Sequence, residues 1–193
     1  NKNEYPLFGL NDTVFKTFND RPNLLTKREI RIQILADLEL PESGSIWDIG
    51  AGCGSIGLEA LRLRPKLKLT SIDKRLGTKE IIQENAKRLE VSQIKVFEKD
   101  INELIKFGIN KLIEPPNRVI IGGCPLDTKV FIIRKIFKLM KKGDIFVLPI
   151  ITLEVLQEIK SLFEELKFQT SLKLIHIEKG VSISSGTRFE PLN

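Results

Sequence analysis

Cysteine, histidine, methionine, tryptophan and tyrosine are nearly missing from this chain. Its 193 residues hold two Cys and one each of His, Met, Trp and Tyr. A lone His176 and two distant thiols, Cys53 and Cys124, cannot assemble a zinc cluster of about four such ligands. The cysteines fit no metal or redox spacing and are expected as reduced thiols. His176 lies in an apolar run and reads as a strand residue. No apolar run reaches the roughly 18 residues that span a bilayer. No stretch has the basic start, apolar middle and small-residue cleavage site of a secretory leader, so a cytoplasmic location is expected. Repeats are absent as well, which excludes solenoids and propellers.

What is present is a basic α/β sequence of one-domain size. The formal charge of +6 suits an anionic partner: nucleic acid, an acidic membrane, or a small polycarboxylate or phosphate. Residues 1–25 are polar and irregular, with Pro6, Gly9 and Pro22, and read as an N-terminal arm before a single domain over 26–193. "TKREIRIQILADL" places Ile30, Ile34, Leu35 and Leu38 on one helical face, with Thr26 and Glu29 at capping-box spacing. Strand-like "SIWDIG", "LKLTSID", "IKVFEKD", "RVIIGG" and "GDIFVLPII" then alternate with helix-like stretches. The last of these, "TLEVLQEIKSLFEEL", has Thr152 as its expected cap. A sixth strand is expected within "FQTSLKLIHIEKGVSI". The alternation predicts an α/β fold with a doubly wound, mostly parallel sheet and helices on both faces. Ligands in such sheets sit at the carboxyl ends of the strands, at the switch point.

That rule points to "WDIGAGCGSIG" after the first strand. Gly52, Gly54 and Gly57 make a dinucleotide-type G-x-G-x-x-G, while Asp48, Gly50, Gly52 and Gly54 make D-x-G-x-G-x-G. The second pattern suits S-adenosylmethionine, which has no pyrophosphate to place on a helix N-terminus. A carboxylate at Asp48 either meets the ammonium of the methionine part or braces the loop. Asp73 ends the second strand, where a carboxylate accepts hydrogen bonds from both ribose hydroxyls. Asp100 ends the third strand. It either touches the adenine amino group, with Ile101 against the ring, or caps the helix that follows. Three acids after three successive strands around this loop favour S-adenosylmethionine over NAD.

"GLNDTVF", "LTKREIR", "WDIGAGCGSIGLEA", "VIIGG" and "ITLEVL" occur in an order and spacing similar to the precorrin-6B (or cobalt-precorrin-6B) C15-methyltransferase family, decarboxylating, of cobalamin biosynthesis. The resemblance spans nearly the whole chain. It implies a class I methyltransferase (Rossmann-like) fold, often a homotetramer. It implies methyl transfer to C15 of a tetrapyrrole-derived ring, with loss of CO2 from the C12 acetate. A C5-methyltransferase domain is expected as a fused or separate partner. By the same resemblance Thr26, Gly50, Ala51, Gly52, Cys53, Gly54, Asp73, Asp100 and Ile101 contact S-adenosylmethionine. Gly122 and Gly123 line the space where the ring approaches.

The residues around these motifs fit an acidic macrocycle. Lys27, Arg28 and Arg31 fall in the first turns of a helix, against the dipole preference for acids there. They face either an anionic ligand or solvent. Gly122 and Gly123 leave room for a flat ring or simply make a tight turn. The sequence offers no catalytic general base, and methyl transfer from a sulfonium rests largely on positioning. An RNA methyltransferase of the same fold is disfavoured by the absence of an Asn/Asp-Pro-Pro-Tyr loop after the fourth strand and by scarce Trp and Tyr. A non-catalytic subunit that binds the cofactor is the other alternative. Its motive is two departures from the family, Pro149 where Asn is usual and the altered "GGCPL"; a third, the lack of a final "PVFII"-like strand, bears on the fold, whose last strand reads as truncated.

Overall fold

A computed structural model describes residues 5–111 and 113–192. The apolar run before the glycine loop becomes β1 (Ser43–Ile49), the centre of a five-stranded parallel sheet. It pairs with β2 (Lys66–Asp73) on one side and β4 (Arg118–Ile121) on the other. β3 (Ile94–Glu98) and β5 (Ile145–Val147) complete the order β3-β2-β1-β4-β5. The order reverses between β1 and β4, so the crevice at their carboxyl ends is the switch point.

Both faces of the sheet are covered, as a parallel sheet requires. Ile46, Leu67, Leu69 and Ile120 pack under α1 (Arg28–Asp37), α2 (Ser55–Leu63) and α3 (Thr78–Arg88). Trp47, Ile49, Ile72, Val119 and Ile121 pack under α4 (Ile101–Lys106), α5 (Leu126–Ile136) and α6 (Leu153–Glu165). This is the doubly wound architecture expected from the alternating pattern. Alternation along β1 sends Trp47 and Ile49 to the second face and Asp48 to the first.

The segment before α1 carries core residues. Leu10, Phe15 and Phe18 are buried with the first cluster. Polar side chains hold this segment down. Glu59, buried in α2, accepts from Gly9 N at 2.5 Å and Leu10 N at 3.4 Å. Asn85 of α3 makes a two-way bond with the backbone of Lys16, at 2.7 and 2.9 Å. Arg75 pairs with Asp20 at 3.1 Å and lies over the Phe18 ring.

Local details depart from expectation. α1 begins at Arg28 with Lys27 as its cap, and no side chain bonds to the cap, so Thr26 and Glu29 form no capping box. Ile34, Leu35 and Leu38 are buried as expected and Ile30 packs against them half-buried, but Arg31 is fully buried as well. Thr152 does cap α6, but its side chain makes no cap bond. β5 stops at Val147, short of Pro149, which has no N–H to give a ladder. The sixth strand starts only at Glu178. β6 (Glu178–Ile183) pairs antiparallel with β7 (Gly186–Pro191) in an exposed hairpin, a second sheet of its own. His176 precedes that strand, with its side chain 73% exposed and 3.7 Å from Glu178, so it is not a strand residue. No helix among the described residues is long and apolar enough to cross a membrane.

Candidate active site

Two glycine turns meet back to back at the switch point. Gly50, Gly52 and Gly54 all take positive φ, at +75°, +56° and +78°, where an L side chain is strained. A Cβ on Gly50 would lie 3.2 Å from Gly123 N, and one on Gly122 would lie 3.0 Å from Gly50 O. The turn after β1 and the turn after β4 therefore require each other to be bare. Gly122 N also donates to Ile49 O at 2.8 Å. A Cβ on Gly123 would meet nothing within 4 Å, so open space begins there.

β2 supplies the other wall. Gly50 N and Ala51 N donate to Ile72 O at 2.8 and 3.3 Å. Asp73 then accepts from Gly52 N on one carboxylate oxygen (2.8 Å) and from Arg75 N on the other (2.9 Å). A carboxylate has about four acceptor sites, so one on each oxygen is left for a ligand. Asp100 caps α4 by accepting from Asn102 N at 2.8 Å. Its other oxygen lies 3.9 Å from Lys74 Nζ, and Ile101 is buried behind it.

Asp48 is the unusual acid. It is 2% exposed, and its Oδ2 has no hydrogen-bond partner. Burial, with Asp73 adding repulsion and a Gly57 N–H partly offsetting it, pushes its carboxyl up to about 7. An orphaned acid beneath a glycine loop, with bare space over Gly123, is an acceptor and a cradle that fit a cationic nucleoside. The raised pKa has a measurable consequence. The unfolded chain releases this proton near 3.8 and the folded chain near 7. The contribution to stability is therefore full below about pH 4 and is lost as pH rises through 7. Asp48→Asn removes this dependence. Comparing urea denaturation of the ligand-free proteins at pH 5 and 8, the variant should gain on wild type by roughly 2–3 kcal/mol, the share of the shift that falls inside that window. A wild-type-minus-variant difference that stays flat with pH would refute the assignment.

Several residues that shape the site carry little sequence signal. Asn85 donates to Cys53 O at 3.0 Å as well as to Lys16 O, and so links the glycine loop to the N-terminal segment. An Asn inside a helix, where it is a poor former, was the available sign. Glu59 sits among the apolar residues of α2, and that break in periodicity was its sign. The Leu24 carbonyl lies 3.9 Å from where a Gly52 Cβ would be, which brings the approach to Thr26 alongside the loop. Cys53 is buried and Cys124 partly so. Both are free thiols, and burial raises the pKa of each.

A family model described as "Precorrin methyltransferase domain" matches residues 16–193. The chain belongs to the precorrin methyltransferase family. A Methanococcus maripaludis protein named "Probable cobalt-precorrin-6B C(15)-methyltransferase (decarboxylating)" is 32% identical over 163 residues, 84% of this chain and 83% of that protein. A Pyrobaculum aerophilum protein of the same name is 29% identical over 171 residues, 88% and 84% of the two chains. The crystal structure of a precorrin-6y C5,15-methyltransferase from Geobacter metallireducens superposes with a TM-score of 0.85 at 26% identity, covering 98% of this chain and 95% of that one.

In this methyltransferase the three bases expected to face an anion part company. Arg31 is fully buried. Its Nε donates to Glu59 at 2.5 Å and its Nη2 to Leu10 O at 2.5 Å. Its Nη1 serves Asp12 at 3.0 Å and Thr26 O at 2.5 Å. Four of its five donors are engaged within the protein and none of it meets solvent, so it is a structural post and not a substrate contact. Arg28 keeps a side chain 46% exposed while bonding Gly9 O at 2.6 Å, and Lys27 stands at the helix start.

Proposed function

We propose that the protein is an S-adenosylmethionine-dependent C-methyltransferase that methylates C15 of (cobalt-)precorrin-6B and removes CO2 from its C12 acetate. The observation that carries this reading is the double glycine turn at the switch point, walled by Asp48, Asp73 and Asp100 in a chain of this family. S-adenosylmethionine, when bound, supplies a methyl group activated by its sulfonium. The open acceptor sites of Asp73 suit the ribose hydroxyls. Asp100 and Ile101 are suited to the adenine edge and face. Asp48, neutral or charged near pH 7, takes on its charge readily when the cationic end arrives, since a nearby opposite charge favours the ionised form. Gly50, Ala51, Gly52, Cys53 and Gly54 let backbone approach closely, and Thr26 closes from the N-terminal side.

Across the crevice, Gly123 leaves room for a flat ring to come edge-on to the methyl, while bare Gly122 lets its turn close on Gly50. Lys27 and the exposed part of Arg28 suit its peripheral carboxylates, as does the net charge of +6. The reading carries with it a cytoplasmic homotetramer working beside a C5-methyltransferase, fused or separate, and an N-terminal arm over 1–25 whose first four residues lie outside the described ones and whose Leu10, Phe15 and Phe18 pack onto the catalytic domain. The test is single turnover with cobalt-precorrin-6B followed by mass spectrometry. The product should gain one methyl and lose one CO2 in the presence of S-adenosylmethionine. A substrate unchanged by a protein that does bind the cofactor would overturn the reading in favour of a non-catalytic subunit.

A further inference from the structure

Among the described residues no carboxylate stands against the ammonium of Lys129. Lys129 stands in the first turn of α5 and is 6% exposed. Its Nζ donates to the Gly122 carbonyl and lies 3.6 Å from Cys124 Sγ. Among the described residues no carboxylate oxygen comes within 4.0 Å of it. Asp127, two positions earlier, is exposed, and Asp100 faces Lys74. An ammonium has three N–H donors. Two are directed at neutral acceptors here, and the third has no described partner. A charge withdrawn from water without a counter-ion is costly, so its persistence calls for a reason.

The place supplies one. Lys129 props the turn at which open space begins, over Gly123. α5 starts after Pro125 with no side-chain cap, so its first N–H groups add their positive end to the same spot. We infer that Lys129 binds a carboxylate of the substrate at the 122–123 turn and so sets how the ring enters the crevice. The inference rests on the reading above that the substrate is a polycarboxylate tetrapyrrole. The carboxylate it holds is one that the product keeps. An ammonium on the departing acetate would stabilise the charged ground state and slow CO2 loss.

The experiment is steady-state turnover of cobalt-precorrin-6B by the full chain, with methyl gain and CO2 loss both read by mass. Lys129→Gln keeps a donor for the Gly122 carbonyl and loses the charge. It should raise KM by about 10- to 100-fold, the cost of one charge-assisted hydrogen bond. The two mass changes should stay coupled one to one, and S-adenosylhomocysteine affinity should not move. Lys129→Arg should recover part of the loss. The wild-type KM should climb with ionic strength more steeply than that of the Gln variant. Methyl gain without CO2 loss in Lys129→Gln would overturn the inference, since Lys129 would then be acting in the decarboxylation itself. An unchanged KM would overturn it too, as would a parallel loss of S-adenosylhomocysteine affinity, the mark of a mere prop. A wild-type protein that leaves the tetrapyrrole intact fails in a different way, taking the functional reading down and this inference with it.

Discussion

Asp73→Ala should weaken S-adenosylhomocysteine binding by at least about a hundredfold, measured by calorimetry. Two losses add. The first is the pair of acceptor sites open to the ribose, each a charged hydrogen bond of about 1.5–3 kcal/mol. The second is the carboxylate's hold on the loop, since Gly52 N and Arg75 N both donate to it. Asp73→Asn should do little better. An amide offers one acceptor oxygen, and its NH2 would confront one of those backbone N–H groups donor to donor. The fold should survive either change, because Asp73 ends β2 and the sheet's apolar faces do not depend on it. A variant that binds within about threefold of wild type would show that Asp73 touches no ribose and that its hold on the loop is dispensable for binding, because a single charged hydrogen bond already exceeds that ratio. NAD, titrated in parallel, should bind neither protein.

The elements that position this site were legible for a simple reason. Strands buried on both faces read as apolar runs, and "SIWDIG" and "RVII" are such runs, so the central strands and their carboxyl ends could be located. The loop declared itself through glycines that only positive φ requires. Arg31 was misjudged for the converse reason. A base at a helix start reads as surface, and nothing local announces that Glu59, 28 residues on, will bury it. Asn85 and Lys129 belong to the same class: their partners lie across the fold or on backbone, and periodicity does not encode either. The sixth strand does fall within its expected stretch, but at its far end: "LKLIHI" has strand composition, while pairing is a long-range matter and only Glu178–Ile183 finds a partner, in β7, leaving His176 outside.

The misjudged arginine offers the sharper test of structure against sequence. Arg31→Met should destabilise the protein by about 3–5 kcal/mol, because it leaves Glu59 charged and buried without its counter-ion. Glu59→Leu should cost as much from the other side, and both are read by urea denaturation. The double variant should be less damaged than the two losses summed, since removing both charges removes the stranded one. It should not return to wild type. Leu10 O and Thr26 O would still lack the donors that Arg31 gave, and Gly9 N the acceptor that Glu59 gave. Those same groups fasten the segment that runs from Gly9 past Leu24 to the edge of the glycine loop. Cofactor affinity should therefore fall with stability, and it should recover only partly in the double variant. If Arg31→Met instead kept full stability and raised only the KM for the tetrapyrrole, the guanidinium would be a substrate contact after all, and the buried network would be idle. The geometry argues otherwise: four of its five N–H groups bond within the protein, two of them to carboxylates, and a side chain with no exposed surface has nothing with which to greet a ligand.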